Sequence, residues 1–319
     1  MKGKEKKRKG FRLGYDRATQ LQLHTLMLPG TVLMLLFSIV PLFGLLLAFK
    51  NYSVIEGIKG VFTSPWYGFQ NFKVIFGNFD FKRMLVNTLG INLIGNLVNI
   101  VMAILFALFI NEIAHPKFKS FVQTVTYMPH FISWVIISSI SYQFLSQSGI
   151  INTLLKNMHV IDKPIKFLTD ASKFWGLAVS LDIWKEMGWW TIIFLAAIVG
   201  ISQDYYEAAQ IDGATRLQRI FYITLPCIKS TIVVVLIMTM GNLFGGGLSG
   251  SNFEQCYLLG NNVNADTSTI IQTYVFDVGL AQGRYAYATA VGLIQSVISL
   301  VLIFASNFVS KKLAGSGLF

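Results

Sequence analysis

Four side chains in the stretch SLDIWKEMGWW place unusual chemistry inside an otherwise apolar segment. Asp182, Lys185, Glu186 and Trp189 fall at i, i+3, i+4 and i+7, so on a helix three charges and an indole share one face. A charge at mid-membrane costs roughly 2.5 to 3.5 kcal/mol on insertion scales, which sends such groups to a protein interior or a water-filled cavity. At 1.5 Å per residue, Asp182 lies about 12 Å along a helix that starts at Phe174, well below a membrane surface. The residue types allow two roles. Lys185 can pair with Asp182 or Glu186 and only tie helices together. The face can also hold a hydroxyl-rich ligand, with carboxylates accepting hydrogen bonds and the indole offering a flat surface. Two carboxylates against one lysine leave a spare acceptor, so both roles can hold at once.

A second stretch, Glu207 to Pro226, is polar yet patterned as ordered structure. Asp204 and Glu207 have the D-x-x-E spacing in which a short acceptor caps a helix and the Glu answers it. Gly213 interrupts the pattern as a turn residue. Ala214, Leu217, Ile220, Phe221 and Leu225 then form an apolar stripe at helical spacing, with Arg216 and Arg219 off it. Pro226 stops or bends the segment. The expectation is helix, turn, helix on a membrane surface.

Catalytic and metal chemistry find little support. The four histidines (His24, His115, His130, His159) are scattered, without H-E-x-x-H or a Cys/His cluster of zinc spacing. GNLFGGGLSG at 241–250 lacks the following Lys-Ser/Thr of a phosphate-binding loop, and no G-x-G-x-x-G opens a helix after a strand. Its glycines fit a helix that ends or unwinds beside a cavity. The acidic pair Asp182 and Glu186, without a metal cluster or an activated nucleophile, makes a weak enzyme. No enzyme activity and no metal site are expected. Cys227 and Cys256 fall near opposite membrane faces in the topology below, so no disulfide joins them.

The elements that must position these residues are apolar spans. The chain has 319 residues, 54% hydrophobic and 13% charged, against about 25% charged in soluble domains. It reads as an all-α integral membrane protein with six helices, over about 26–49, 84–110, 121–144, 174–199, 228–243 and 286–309, with Pro29 and Pro41 as tolerated kinks in the first. A basic tail (1–25) precedes them, the patterned loop occupies 203–226, and 313–319 follow the last span. Residues 64–72, SPWYGFQNF, read as an interfacial aromatic belt. Asn87, Asn92, Asn96 and Asn99 along the second span either bond neighbouring helices or line a polar path. Residues 147–174 and the segment after the glycines read as polar loops.

The net charge of +11 owes much to eight Lys and Arg within the first seventeen residues. Without aromatic-basic interleaving this points to anionic lipid headgroups and not to nucleic acid. If the N-terminus is cytoplasmic, the inner segments hold fifteen Lys and Arg and the outer ones ten. Both termini and the Glu207 loop then lie in the cytoplasm.

The loop also carries a family pattern. E-A-A, three residues, Gly, nine residues and I-x-L-P are met by Glu207, Ala208, Ala209, Gly213, Ile223, Leu225 and Pro226. This resembles the cytoplasmic loop motif of permease subunits of binding-protein-dependent ABC importers. DIWKEMGWW, LAAIVGI and YEAAQIDGAT resemble the carbohydrate branch, the MalF-like and LplB-like sugar permeases, over about residues 20–312.

The resemblance implies a type I importer permease fold in a bacterial cell membrane, multi-pass, working by alternating access. It implies a second homologous permease subunit, two ATPase subunits that carry ATP and Mg, and an extracellular solute-binding protein that delivers a carbohydrate, here an oligosaccharide. No cofactor is expected on this chain. The loop would form a coupling helix in a groove of the ATPase: Glu207 as a polar contact, Ala208 and Ala209 for close approach, Gly213 at the turn, Asp212 and Arg216 beside them. Substrate-lining positions carry over to Asp182, Lys185, Glu186 and Trp189, and to Thr239 and Asn242 on the next span. The chain lacks the large external domain of some maltose permeases. The alternative from another class is a stand-alone secondary transporter or channel for a small polar solute.

Overall fold

A computed structural model describes residues 17–241, 243 and 252–314. Among the described residues the regular elements are helices, with one isolated antiparallel bridge between Lys50 and Trp66. In chain order the main ones are α1 (Arg17–Met34), α2 (Gln70–Gly77), α3 (Phe79–Asn111), α4 (Pro116–Tyr127), α5 (Trp134–Leu145), α6 (Ile150–Asn157) and α7 (Phe174–Val199). Then follow α8 (Gln203–Ile211), α9 (Arg216–Cys227, with a π turn at Ile220–Thr224), α10 (Lys229–Gly241), α11 (Phe253–Leu259), α12 (Ile271–Phe276) and α13 (Tyr285–Ala314). The helix of α1 continues through a π turn, Leu35–Ile39, into 3-10 turns, Val40–Phe49. Pro41 lies where the winding changes, as expected of a residue that removes a backbone donor.

The centre of the molecule is the α3–α7 pair, its most extensive helix contact. Asn87, Ile91, Gly95, Asn99, Ala103 and Ala107 are buried along α3 at four-residue spacing, a single ridge. Against it α7 buries Ala178, Asp182, Thr191 and Leu195, while its buried Lys185 and Gly188 face α4 and the turn after it. Small residues on both ridges let the backbones approach, the main source of packing energy where lipid removes a hydrophobic drive between helices. Gly188 is the tightest point: a Cβ there would lie 2.1 Å from the Thr126 carbonyl oxygen, so α4 crosses α7 against bare backbone.

Among the described residues, three helices are long and apolar enough to cross a membrane alone: Thr19–Phe49, Phe79–Asn111 and Tyr285–Lys312. The count reaches five if two bent pairs each form one span: α7 with α8 at 68° and α9 with α10 at 59°. Within the expected third span, 121–144, the helix is broken: α4 and α5 are separated by a 3-10 turn at Met128–Phe131. Pro129 lies in that turn, and Ser133 caps the new helix by accepting from the Ile136 N–H at 3.4 Å.

The segments read as loops are also more ordered than expected. Residues 147–174 contain α6, whose buried Asn152 accepts from the Ile165 N–H and donates to the Ser146 and Ile165 carbonyls. Residues 252–284 fold back onto the core through Phe253, Cys256, Leu259, Ile270 and Ile271, all buried. Asn87 supports that return by donating to the Asp266 and Thr269 carbonyls.

Gly188→Val is expected to cost about 1 to 3 kcal/mol by overpacking. It should lower the thermal unfolding temperature of the purified protein, whereas Gly176→Ala, whose added Cβ meets nothing within 4 Å, should leave it unchanged.

Candidate functional site

The break between α4 and α5 shapes the polar site. In an unbroken helix the His130 carbonyl would accept from the backbone N–H four residues on. Released by the turn, it instead accepts from Lys185 Nζ at 2.6 Å. The same ammonium donates to Glu186 Oε1 at 2.9 Å and lies 5.9 Å from the centre of the Trp134 ring. Glu186 Oε2 in turn sits 2.6 Å from His130 Nδ1, and the His130 ring stacks on Trp189 with centroids 4.5 Å apart and planes 9° from parallel. Lys185, Glu186, His130 and Trp189 thus form one connected unit across α7 and the turn.

Asp182 belongs to a different contact. It is buried against α3, accepting from Asn99 Nδ2 at 3.4 Å with Gly95 beside it. Of the two possible lysine pairings, the one formed is Lys185–Glu186. The predicted shared face is therefore layered: Asp182 and Lys185 are buried at 9% and 7% exposure, while Trp189 keeps 40%. His130 and Glu186 retain partial exposure. Buried charges paired by hydrogen bonds brace the outer edge, and that edge offers a carboxylate, an imidazole and an aromatic face.

His130, Trp134 and Asn99 complete this site, and none of them stood out in the sequence as part of it. The available signal was Pro129 inside an apolar run with a histidine after it. Thr239 on α10 is buried and donates to the Leu236 carbonyl of its own helix at 3.0 Å. Asn242 lies outside the described residues.

The Glu207 loop is the second site. Its cap is Ser202, whose hydroxyl accepts from the Asp204 N–H at 3.3 Å, so Asp204 stands in the first turn of α8 and is not the expected cap. No residue of α8 is buried. The helix ends in a Schellman motif: Gly213 N–H donates to the Gln210 carbonyl at 3.1 Å and Ala214 N–H to the Ala209 carbonyl at 2.9 Å. Asp212 is the last half-helical residue, and Gly213 has φ +77°, a conformation that residues with a Cβ reach at a cost of about 1 to 2 kcal/mol.

Thr215 and Gln218 then close a capping box that starts α9. Tyr206 and Thr224 hydroxyls bond at 2.9 Å across the loop, and Arg216 reaches Glu112 at the end of α3, 3.6 Å away. Between the arms lies an open cleft of about 330 Å³ lined by Ala209, Asp212, Gly213 and Tyr222 among others. Glu207, Ala208 and Arg216 are exposed around it, as are Leu217 and Phe221 from the predicted stripe.

No group of three or more His, Cys, Asp or Glu side chains suited to a metal ion occurs among the described residues. The site is one of hydrogen-bond and ring chemistry.

Comparison with known proteins gives the chain its family. A family model described as "Binding-protein-dependent transport system inner membrane component" matches residues 99–315. Protein LplB of Bacillus subtilis (strain 168) is 43% identical over 298 residues, 93% of this chain and 91% of its own length. The polygalacturonan/rhamnogalacturonan transport system permease protein YteP of the same organism is 40% identical over 315 residues, 98% and 95% of the two chains. Among solved structures, a chain of a bacterial alginate ABC transporter in complex with alginate pentasaccharide-bound periplasmic protein superposes with a TM-score of 0.83 at 36% identity, covering 96% of this chain and 100% of that one. With both a family model and full-length relatives matching it, the chain belongs to the inner membrane components of binding-protein-dependent transport systems, a family of multi-pass permeases.

Proposed function

We propose that this permease subunit of a binding-protein-dependent carbohydrate importer forms half of a translocation path for an oligosaccharide. The observation that carries the mechanism is α8: a helix with no buried residue, rigidly capped at both ends, standing at 68° to the helix that bears the polar site. An exposed helix with such fixed ends is built to seat in another protein. We assign that partner as a separate ATPase subunit, contacted by Glu207, Ala208, Ala209, Asp212, Gly213 and Arg216. ATP and Mg belong to two such subunits, and a second, related permease completes the path.

In this reading six spans place both termini and the Glu207 loop in the cytoplasm, with α4 and α5 as a broken third span. An extracellular binding protein delivers the sugar to the opposite face. Glu186, Trp189 and His130 present hydroxyl acceptors and ring faces to it, while Asp182 and Lys185 hold that edge in place. Thr239 and Asn242 are the weaker members of the lining. Support for a saccharide comes from the chemistry of the exposed edge and from the relatives, whose names include polygalacturonan/rhamnogalacturonan and alginate transport.

Two substitutions test the two ends. Gly213→Leu forces a bulky side chain into the left-handed turn, and it should leave an assembled complex whose ATP hydrolysis no longer responds to substrate-loaded binding protein; stimulation equal to wild type contradicts the coupling role. Trp189→Ala should lower saccharide uptake per assembled complex several-fold. Unchanged uptake removes Trp189 from the path.

A further inference from the structure

At the end of the bundle opposite α8, where α13 begins and the first helix ends, lies a cavity of about 480 Å³. That volume is in the range of small-molecule sites. It is walled by Tyr52, Tyr67 and Tyr287 and by the amides of Asn51, Asn71 and Gln282. Two cations, Lys50 and Arg284, also line it, and no Asp or Glu does. Of the neighbouring carboxylates, Glu56 accepts from the Ser64 hydroxyl, and Asp277 accepts from the amide N–H of the lining Gln282 at 3.1 Å, which places one carboxylate directly behind the wall.

The two cations are held differently. Lys50 is buried and donates to the Phe62 carbonyl at 2.6 Å, which fixes the wall. Arg284 is exposed, and its guanidinium carbon lies 4.6 Å from the centre of the buried Tyr287 ring. Its place over the ring fixes the guanidinium by a cation–π contact, and its N–H groups are of the kind that bonds a carboxylate in a bidentate fork. The preceding Gly283, at φ +69°, turns the chain so that Arg284 caps α13, its carbonyl accepting from the Ala288 N–H at 3.0 Å.

The opposite wall is equally fixed. Tyr67 N–H donates to the Phe49 carbonyl at 2.8 Å, and the Trp66 ring stacks on Phe49 at 5.7 Å. Tyr67 itself stays 43% exposed.

We propose that this cavity is a second saccharide site, specific for an acidic sugar, in which Arg284 takes the carboxylate, Tyr67 the ring face, and the Asn51 amide with the amide oxygens of Asn71 and Gln282 the hydroxyls. The Asn71 and Gln282 N–H groups are held by the Ala48 and Lys50 carbonyls and by Asp277. Net positive lining selects an anion, while rings and amides together suit a polyhydroxylated one better than a phosphate head with acyl chains. The proposal rests on the carbohydrate-import reading and narrows its substrate class. With the termini cytoplasmic, the cavity opens on the outer face and meets the sugar before the Trp189 edge does.

The test uses the complete transporter in nanodiscs without the binding protein, titrated calorimetrically with trigalacturonate and with its fully methyl-esterified form. Trigalacturonate should bind, the ester should bind at least ten-fold more weakly, and Arg284→Gln should weaken trigalacturonate by a similar factor while leaving the ester unaffected. Tyr67→Ala should weaken both. Equal binding of acid and ester, absence of binding, or indifference to Arg284→Gln overturns the site. If Arg284→Gln changes only retention of phosphatidylglycerol, the cavity is a lipid site; if it changes only the affinity for the binding protein, it is a docking contact, and either result overturns the proposal. Binding that depends on Trp189 and not on Arg284 removes this site and leaves the import reading standing.

Discussion

A lysine inside an apolar helix must find its counter-charge and its acceptors within the protein, and the arrangement around Lys185 follows from that need. Glu186 supplies the charge from the same helix, and the His130 carbonyl supplies the second acceptor. That carbonyl is free only because the α-helical winding ends in the 3-10 turn at Met128–Phe131, with Ile132 extended after it. Glu186 then uses its other oxygen to hold the His130 ring, and the ring covers Trp189. Removing one partner of so buried a pair leaves an uncompensated charge, which is why the break, the turn and the pair belong together.

The same helix connects the polar site to the loop. From Glu186 to Val199, α7 is uninterrupted, about 20 Å at 1.5 Å per residue. It is clamped along its length by the small-residue ridge of α3 and by α4 at Gly188. Beyond it, α8 is oriented by Ser202 at one end and the Gly213 motif at the other, and the Tyr206–Thr224 bond ties it to α9. A displacement of α8 therefore has a stiff path to the Lys185–Glu186–His130 unit, since packed helices shift as bodies and do not deform smoothly. The path is short because both sites lie on consecutive elements.

Local chemistry was legible in the sequence, and long-range partnership was not. The helix at 174–199 needs only its apolar run, and the turn at Gly213 needs only its glycine between two helical patterns. The charged residues stood out by their cost in lipid. Their partners did not, because Asn99 and His130 lie 83 and 56 positions from the carboxylates they meet. Hydropathy over 121–144 averages across Pro129 and hides the break that frees a carbonyl. At the start of α8, Ser202 and Asp204 are both good acceptors, and only backbone geometry makes Ser202 the cap. Likewise, residues 252–284 look polar, yet their buried side chains are spaced irregularly and show no period.

The central claim is that α8 is covered by a separate ATPase at the inner face. It is tested most directly by the reactivity of Ala208→Cys, with Cys227 and Cys256 replaced by serine, toward an impermeant maleimide in inside-out membranes. Labelling should be rapid when the permeases are expressed without the ATPase and at least ten-fold slower when it is present. Equal labelling in both preparations, or labelling only from the outer face, would contradict the account.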